Sequence, residues 1–179
     1  MIADFKVENV VASVILGVDV PLEKMAMSLP NTEYNPEQFP GLVLRLKEMG
    51  ITALVFSSGN LVCTGAKSEE MVKAGVNGVL NELKKIGITS NKEPKISIQN
   101  MVASGNLHLT LNLNKLALVL PNAEYSPETF PGLIYKVPNS HITYLLFGTG
   151  RIVCTGAKNI EEIKTSIEKL RKDILKVIK

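Results

Sequence analysis

Eight side chains able to recognise a ligand occur in four pairs, each pair 91 residues apart: Asn9 and Asn100, Thr64 and Thr155, Phe39 and Phe130, Phe56 and Phe147. Asparagine amides and threonine hydroxyls are short, neutral hydrogen-bond donors. Phenylalanine beside a rigid Phe-Pro junction, as in Phe39-Pro40 and Phe130-Pro131, is an apolar wedge of fixed direction. These groups recognise; they do not catalyse. No Ser/His/Asp or Cys/His set accompanies them, so the chain reads as a non-enzyme without a cofactor. Cys63 and Cys154 have only His108 and His141 to join them, in no C-x-x-C or H-x-E spacing, so they read as small buried side chains and not as metal ligands. Gly148-Thr149-Gly150 reads as a hairpin turn and not as a fragment of a phosphate loop.

The pairs arise because the chain is written twice. Asn9–Lys67 returns without a gap as Asn100–Lys158, with about 30 of 59 aligned positions identical. Asn9–Ser13, Tyr34–Leu42 and Val62–Lys67 all reappear in order. Two copies are too few for a solenoid; they suit one body with an internal pseudo-twofold axis, residues 1–90 forming the first repeat and 91–179 the second. Each repeat opens with a strand, Val7–Leu16 and Ile96–Leu111. A short amphipathic helix follows, Pro21–Leu29 and Asn112–Leu120, stopped by Pro30 and Pro121. A short strand near Thr32–Tyr34 leads to strands at Leu42–Lys47, Thr52–Ser57 and Asn60–Ala66, with Ser58-Gly59-Asn60 and Thr149-Gly150-Arg151 as tight turns. Ser68 caps a long helix, Glu69–Ile86, whose copy is Ile160–Ile178. Residues 87–95 are a short linker.

Both faces of these strands are largely apolar. In Leu61–Gly65 one alternate set is Leu61, Cys63 and Gly65 and the other is Val62 and Thr64; in Asn9–Ser13 one is Val10 and Ala12 and the other is Asn9, Val11 and Ser13. Two long helices can cover one face of such a sheet. The other is left open, apolar and sparsely hydrogen-bonding, as a binding surface is. The donors on it, Asn9, Asn100, Thr64 and Thr155, have no carboxylate among them. The DNA minor groove at A·T pairs offers only acceptors, adenine N3 and thymine O2, and the guanine amino group would collide with an apolar floor. Arg45, Lys67, Lys136 and Lys158 lie at the edges of this face, where they can reach phosphates. Two symmetric Phe pairs match the apolar wedges that unstack base steps.

Net charge is +3, weak evidence for a polyanion by itself. Its distribution is uneven: residues 1–90 carry 8 basic and 10 acidic residues, residues 91–179 carry 12 and 7. No apolar run approaches the length of a membrane span, and Met1–Glu8 has no signal-peptide core, so an intracellular, non-membrane protein is expected. The basic stretch Lys164–Lys179 reads as a solvated helix face.

Glu8–Ser13, Tyr34–Leu42 and Thr64–Lys67, with their copies, resemble the TATA-box-binding protein family over nearly the whole chain. The resemblance implies an α+β saddle: a curved ten-stranded antiparallel sheet with four helices on the convex face. It implies that Phe39 with Phe56 and Phe130 with Phe147 kink DNA, and that Asn9, Val11, Leu54, Val62 and Thr64, with Asn100, Val102, Leu145, Val153 and Thr155, line the minor groove. It further implies double-stranded TATA-box DNA, transcription factor B and the RNA polymerase pre-initiation complex as partners. The contact with transcription factor B falls on the loop around Glu124, Ser126 and Glu128. Ser126 stands where an acidic residue is frequent in the family, and the hairpin basic residue kept as Arg151 is replaced by Asn60 in the first repeat. The likeness of the repeats and the absence of a long N-terminal extension look archaeal, which implies a cytoplasmic, nucleoid-associated protein; a eukaryotic one would be nuclear. An exposed apolar face also offers a homodimer contact in the absence of DNA. Two rival readings stay open at this point: a nucleic-acid-binding accessory module of a nuclease or glycosylase, and a protein-interaction scaffold.

Overall fold

Where β-branched residues alternate with small ones the chain is extended; where apolar residues recur at helical spacing behind a capping side chain it is helical. A computed structural model describes residues 3–178. Its elements are β1 (Asp4–Ile15), α1 (Leu22–Ser28), β2 (Thr32–Tyr34), β3 (Leu42–Leu46), β4 (Ile51–Val55), β5 (Asn60–Ala66) and α2 (Glu69–Lys85), then β6 (Lys95–Asn106), α3 (Leu113–Val119), β7 (Ala123–Glu124), β8 (Leu133–Lys136), β9 (Thr143–Leu146), β10 (Arg151–Ala157) and α4 (Ile160–Ile178). The strands form one ten-stranded sheet in the order β2-β3-β4-β5-β1-β6-β10-β9-β8-β7, antiparallel as expected. Lys179 of the expected basic helix lies outside the described residues.

The element boundaries match the sequence reading closely, with two corrections: the first strand, expected over Val7–Leu16, already begins at Asp4. The strand expected over Ile96–Leu111 ends at Asn106. There Leu107 donates its N–H to Gly150 O, and His108 adopts a left-handed conformation at φ 56 that no strand can hold. Both hairpin turns form as expected, each with a glycine at positive φ, 90° at Gly59 and 94° at Gly150. A side chain there would run into Val18 O or Leu109 O, so glycine is required on space as well as conformation.

By its contacts the chain divides into two units, 9–99 and 3–8 with 100–178. In the first-repeat unit α2 starts at Ser68, whose hydroxyl accepts from Met71 N at 3.1 Å. Val72, Val76, Val79 and Leu83 are buried, against a sheet face made by Val10, Ala12, Leu44, Ala53, Leu61 and Cys63. Gly75 brings the helix close: a Cβ there would stand 2.9 Å from Ile51 Cδ1. In the second-repeat unit, α4 buries Ile163, Ile167, Leu170 and Ile174. The positions of Ala53 and Gly75 are taken by Tyr144 and Ser166, and the fully buried Tyr144 donates its hydroxyl to Ser166 Oγ at 2.6 Å. The two cores thus reach the same packing with different chemistry. Both cysteines are fully buried and unpaired by disulfide, and burial raises each thiol from 9.0 to about 11.

Candidate nucleic-acid interface

With one set of each strand's alternate residues against the helices, the other set is only partly buried. In the first-repeat unit these are Asn9, Val11 and Ser13 of β1, Val43 of β3, Thr52 and Leu54 of β4, and Val62 and Thr64 of β5. Cross-strand register joins them: Val43 faces Leu54, Leu54 faces Val62, Thr52 faces Thr64, and Ser13 faces Val62. The second-repeat unit repeats the arrangement, with Ile134 facing Leu145, Leu145 facing Val153, Thr143 facing Thr155, and Ser104 facing Val153. Asn100 and Val102 share this face. Each unit therefore carries all five of its expected groove residues on one apolar surface. Val43, Thr52, Ile134 and Thr143 belong there too, and the sequence reading missed them. Their signal was the two-residue period of β3, β4, β8 and β9.

The asparagines are held by a β-bulge. Val10 pairs with Ala66 but Ala12 pairs with Cys63, so β5 spends one more residue than β1 between these pairs. The extra residue falls at Thr64-Gly65, where Gly65 has φ 98; in β10, Gly156 has φ 99. A side chain at either glycine would collide with Gly50 O or His141 O. The bulge turns the glycine N–H toward the asparagine: Gly65 N donates to Asn9 Oδ1 at 2.7 Å, and Gly156 N donates to Asn100 Oδ1 at 2.6 Å. With the amide oxygen engaged, the nitrogen is the end that remains to donate. Asn9 Nδ2 donates to Thr64 Oγ1 at 3.2 Å and Asn100 Nδ2 to Thr155 Oγ1 at 3.1 Å. That uses one of two amide protons and leaves each threonine hydroxyl able to donate in turn, although the Thr64 hydroxyl also lies 3.5 Å from Asn9 Oδ1. Each unit thus presents an adjacent pair of oriented donors on an apolar floor.

The phenylalanines meet in pairs as expected. Phe39 and Phe56 stand edge to face with centroids 5.8 Å apart, and Phe130 and Phe147 with centroids 6.0 Å apart. The glycine of each Phe-Pro-Gly makes room: a Cβ on Gly41 would stand 2.7 Å from Phe39 and 3.0 Å from Phe56, and one on Gly132 would stand 2.7 Å and 2.9 Å from its pair. A one-turn bend fixes the first ring of each, with Phe39 N donating to Asn35 O and Phe130 N to Ser126 O, both at 3.0 Å. Phe39 is 42% exposed and Phe130 37%, large values for rings so firmly held. They are not core side chains.

Arg45 and Lys136 are exposed beyond Val43 and Ile134 on the same strand face, and Lys67, Arg151 and Lys158 are exposed. The two mates differ: Arg45 is paired with Glu33 at 2.8 Å, whereas Lys136 has no carboxylate within 4.0 Å among the described residues. Glu124, Ser126 and Glu128 are exposed at β7 and in the loop that follows it. Among the described residues no cluster of three or more His, Cys, Asp or Glu is placed to hold a metal, and no helix is long and apolar enough to cross a membrane.

The model of the family described as transcription factor TFIID (or TATA-binding protein, TBP) matches this chain twice, over residues 4–86 and 95–177. The chain belongs to the TATA-binding protein family. A TATA-box-binding protein of Pyrobaculum aerophilum is 49% identical over 166 residues, covering 93% of this chain and 83% of that protein. One from Thermococcus kodakarensis is 46% identical over 171 residues, covering 96% and 90%. The solved structure of Methanococcus jannaschii TBP superposes with a TM-score of 0.91 at 43% identity, covering 97% of this chain and 99% of that one. These family members are archaeal, as the sequence reading expected. The fold expectation of two repeats, a ten-stranded antiparallel sheet and four helices is borne out.

Proposed function

We propose that the chain is an archaeal general transcription factor, not an enzyme, that binds the A·T-rich TATA element through the minor groove. The observation that carries this is the donor pair presented identically by each repeat: Asn9 with Thr64, and Asn100 with Thr155, each amide oriented by a bulge glycine. Donors on an apolar floor fit a groove edge that offers only acceptors, and an apolar floor leaves no partner for the guanine amino group. Val11, Leu54 and Val62, with Val102, Leu145 and Val153, supply the floor. Phe39 with Phe56 and Phe130 with Phe147 are positioned to enter base steps and kink the duplex. Arg45, Lys67, Lys136, Arg151 and Lys158 meet phosphates, Arg45 only by leaving Glu33. A surface ion pair of that kind is worth under about 1 kcal/mol.

The exposed carboxylates Glu124 and Glu128, with Ser126, are the proposed contact for transcription factor B, through which RNA polymerase is recruited. A protein of this kind acts at the nucleoid, in the cytoplasm. In the absence of DNA the same apolar faces are open to a second copy of the chain. Fluorescence anisotropy on A·T-rich and G·C-rich duplexes of equal length tests the reading. Binding at least 100-fold tighter to the A·T-rich duplex is expected; equal binding would refute it and favour an accessory module or a protein scaffold.

A further inference from the structure

The second-repeat unit holds a polar cleft where the start of β1 meets β6 and β10. It has a volume of about 290 Å³, and Asp4, Phe5 and Lys6 of β1 line it together with Ser104, Gly105 and Asn106 of β6 and Arg151 of β10. Its position on the open face follows from packing. A Cβ on Gly105 would meet Asp4 O at 2.5 Å, Phe5 Cβ at 3.1 Å and Ile152 Cγ1 at 3.4 Å, so the start of β1 passes close against β6 here. Ser104 and Asn106 of β6 and Arg151 of β10 alternate with the buried residues of those strands and so share the open face, and Glu8 ties Lys6 to them, its Oε1 lying 3.3 Å from Lys6 Nζ while accepting from Ser104 Oγ. Asn106 and Arg151 are direct cross-strand partners. The repeat mates of Lys6, Asn106 and Arg151 are Ser97, Ile15 and Asn60, and Ile15 is 51% exposed and apolar. The equivalent place in the first-repeat unit keeps one cation, Lys95 in the position of Asp4, and one amide, Asn60 in the position of Arg151, but not the Lys6 and Arg151 pair.

We propose that this cleft seats a backbone phosphate of the bound duplex, between Lys6 and Arg151, with the Asn106 amide and the Ser104 hydroxyl as neutral donors. The proposal rests on the DNA-binding reading above. The negative groups nearby are already engaged. Asp4 Oδ2 lies 3.1 Å from His108 Nε2, and Glu8 Oε1 accepts from Ser104 Oγ at 3.0 Å and lies 3.3 Å from Lys6 Nζ. Lys6 is 76% exposed on its side chain, so its pairing with Glu8 is screened and readily exchanged for a phosphate. Arg151 supplies a planar fork suited to phosphate oxygens.

The test is the salt dependence of binding by the whole chain. Each phosphate contact adds about 0.9 to the slope of log K against log salt. Lys6→Gln should lower that slope by about 0.9 on A·T-rich and G·C-rich duplexes alike, leaving the ratio of affinities between them unchanged. Neutral methylphosphonate substitutions along each strand should then find one position that weakens the unaltered protein at least threefold and leaves Lys6→Gln unaffected. Asn106→Ile, which copies the first repeat, should weaken binding at that same position. An unchanged slope, or no position coupled to Lys6, overturns the seat. Loss of A·T preference in the unaltered protein would instead overturn the reading on which it rests, so the two failures are distinguishable. Lys6 is at the surface, and unchanged thermal melting of Lys6→Gln establishes that the fold is intact.

Discussion

Replacing Asn100 by Asp separates the structural work of this side chain from its recognition work. The Oδ1 atom accepts from Gly156 N at 2.6 Å, and a carboxylate accepts that bond at least as well. The Thr155 hydroxyl, now 3.1 Å from Nδ2, can rotate and donate to the second carboxylate oxygen. Stability should therefore stay within about 0.5 kcal/mol, as for surface changes that leave partners satisfied. Binding should collapse. One donor to a groove acceptor is lost, about 1–2 kcal/mol. An unpaired charge is also pressed against acceptors, a further 2–5 kcal/mol by comparison with broken interfacial charge pairs. The sum, about 3–7 kcal/mol, is a loss of at least 100-fold on an A·T-rich duplex. The loss on a G·C-rich duplex should be smaller, because the guanine amino group can donate to a carboxylate. Asn100→Ala behaves differently: it strands the Gly156 N–H, costs about 1–3 kcal/mol of stability, and weakens binding less than Asn100→Asp. Thermal melting and anisotropy on both duplexes measure all of this. If Asn100→Asp binds the A·T-rich duplex within threefold of the parent, the amide does not face the groove and the donor argument is wrong.

Four further outcomes are expected. Phe130→Ala with Phe147→Ala should reduce both affinity and DNA bending, read as fluorescence transfer between labelled duplex ends; an unchanged bend would show that these rings do not enter a base step. Glu128→Arg should leave binding to DNA alone within about threefold, under about 0.7 kcal/mol, while strongly impairing the ternary complex with transcription factor B in a native gel. Tyr144→Phe should cost about 1 kcal/mol in chemical denaturation, through the lost bond to Ser166, with DNA affinity unchanged. The two thiols, raised by burial from 9.0 to about 11, contribute stability that is complete below pH 9 and is lost as pH rises toward 11. At roughly 3 kcal/mol each when both forms are compared, they should give a melting temperature that falls over that window and a flatter profile in Cys63→Ala with Cys154→Ala. Parallel profiles for parent and variant would refute the assignment.

Much of the molecule was legible in the chain because repeat, period and punctuation are local. The 91-residue echo set the two copies, and alternation in Asn9–Ser13 and Leu61–Gly65 separated buried Val10, Ala12, Leu61 and Cys63 from open Val11, Val62 and Thr64. The turn glycines and capping Ser68 fixed element ends to within a residue or two. What makes the donors a site is not local. Asn9 meets Thr64 and Gly65 from 55 and 56 residues away, and only the bulge register decides which end of its amide faces outward. Val43, Thr52, Ile134 and Thr143 joined the surface by cross-strand pairing, which a strand read singly does not specify. Arg45 found Glu33 on an edge strand, and Lys6 came beside Arg151 across β6, although nearly the whole chain separates them in sequence. Local preference decides which residues turn inward; register, a property of two strands at once, decides which outward-facing residues become neighbours.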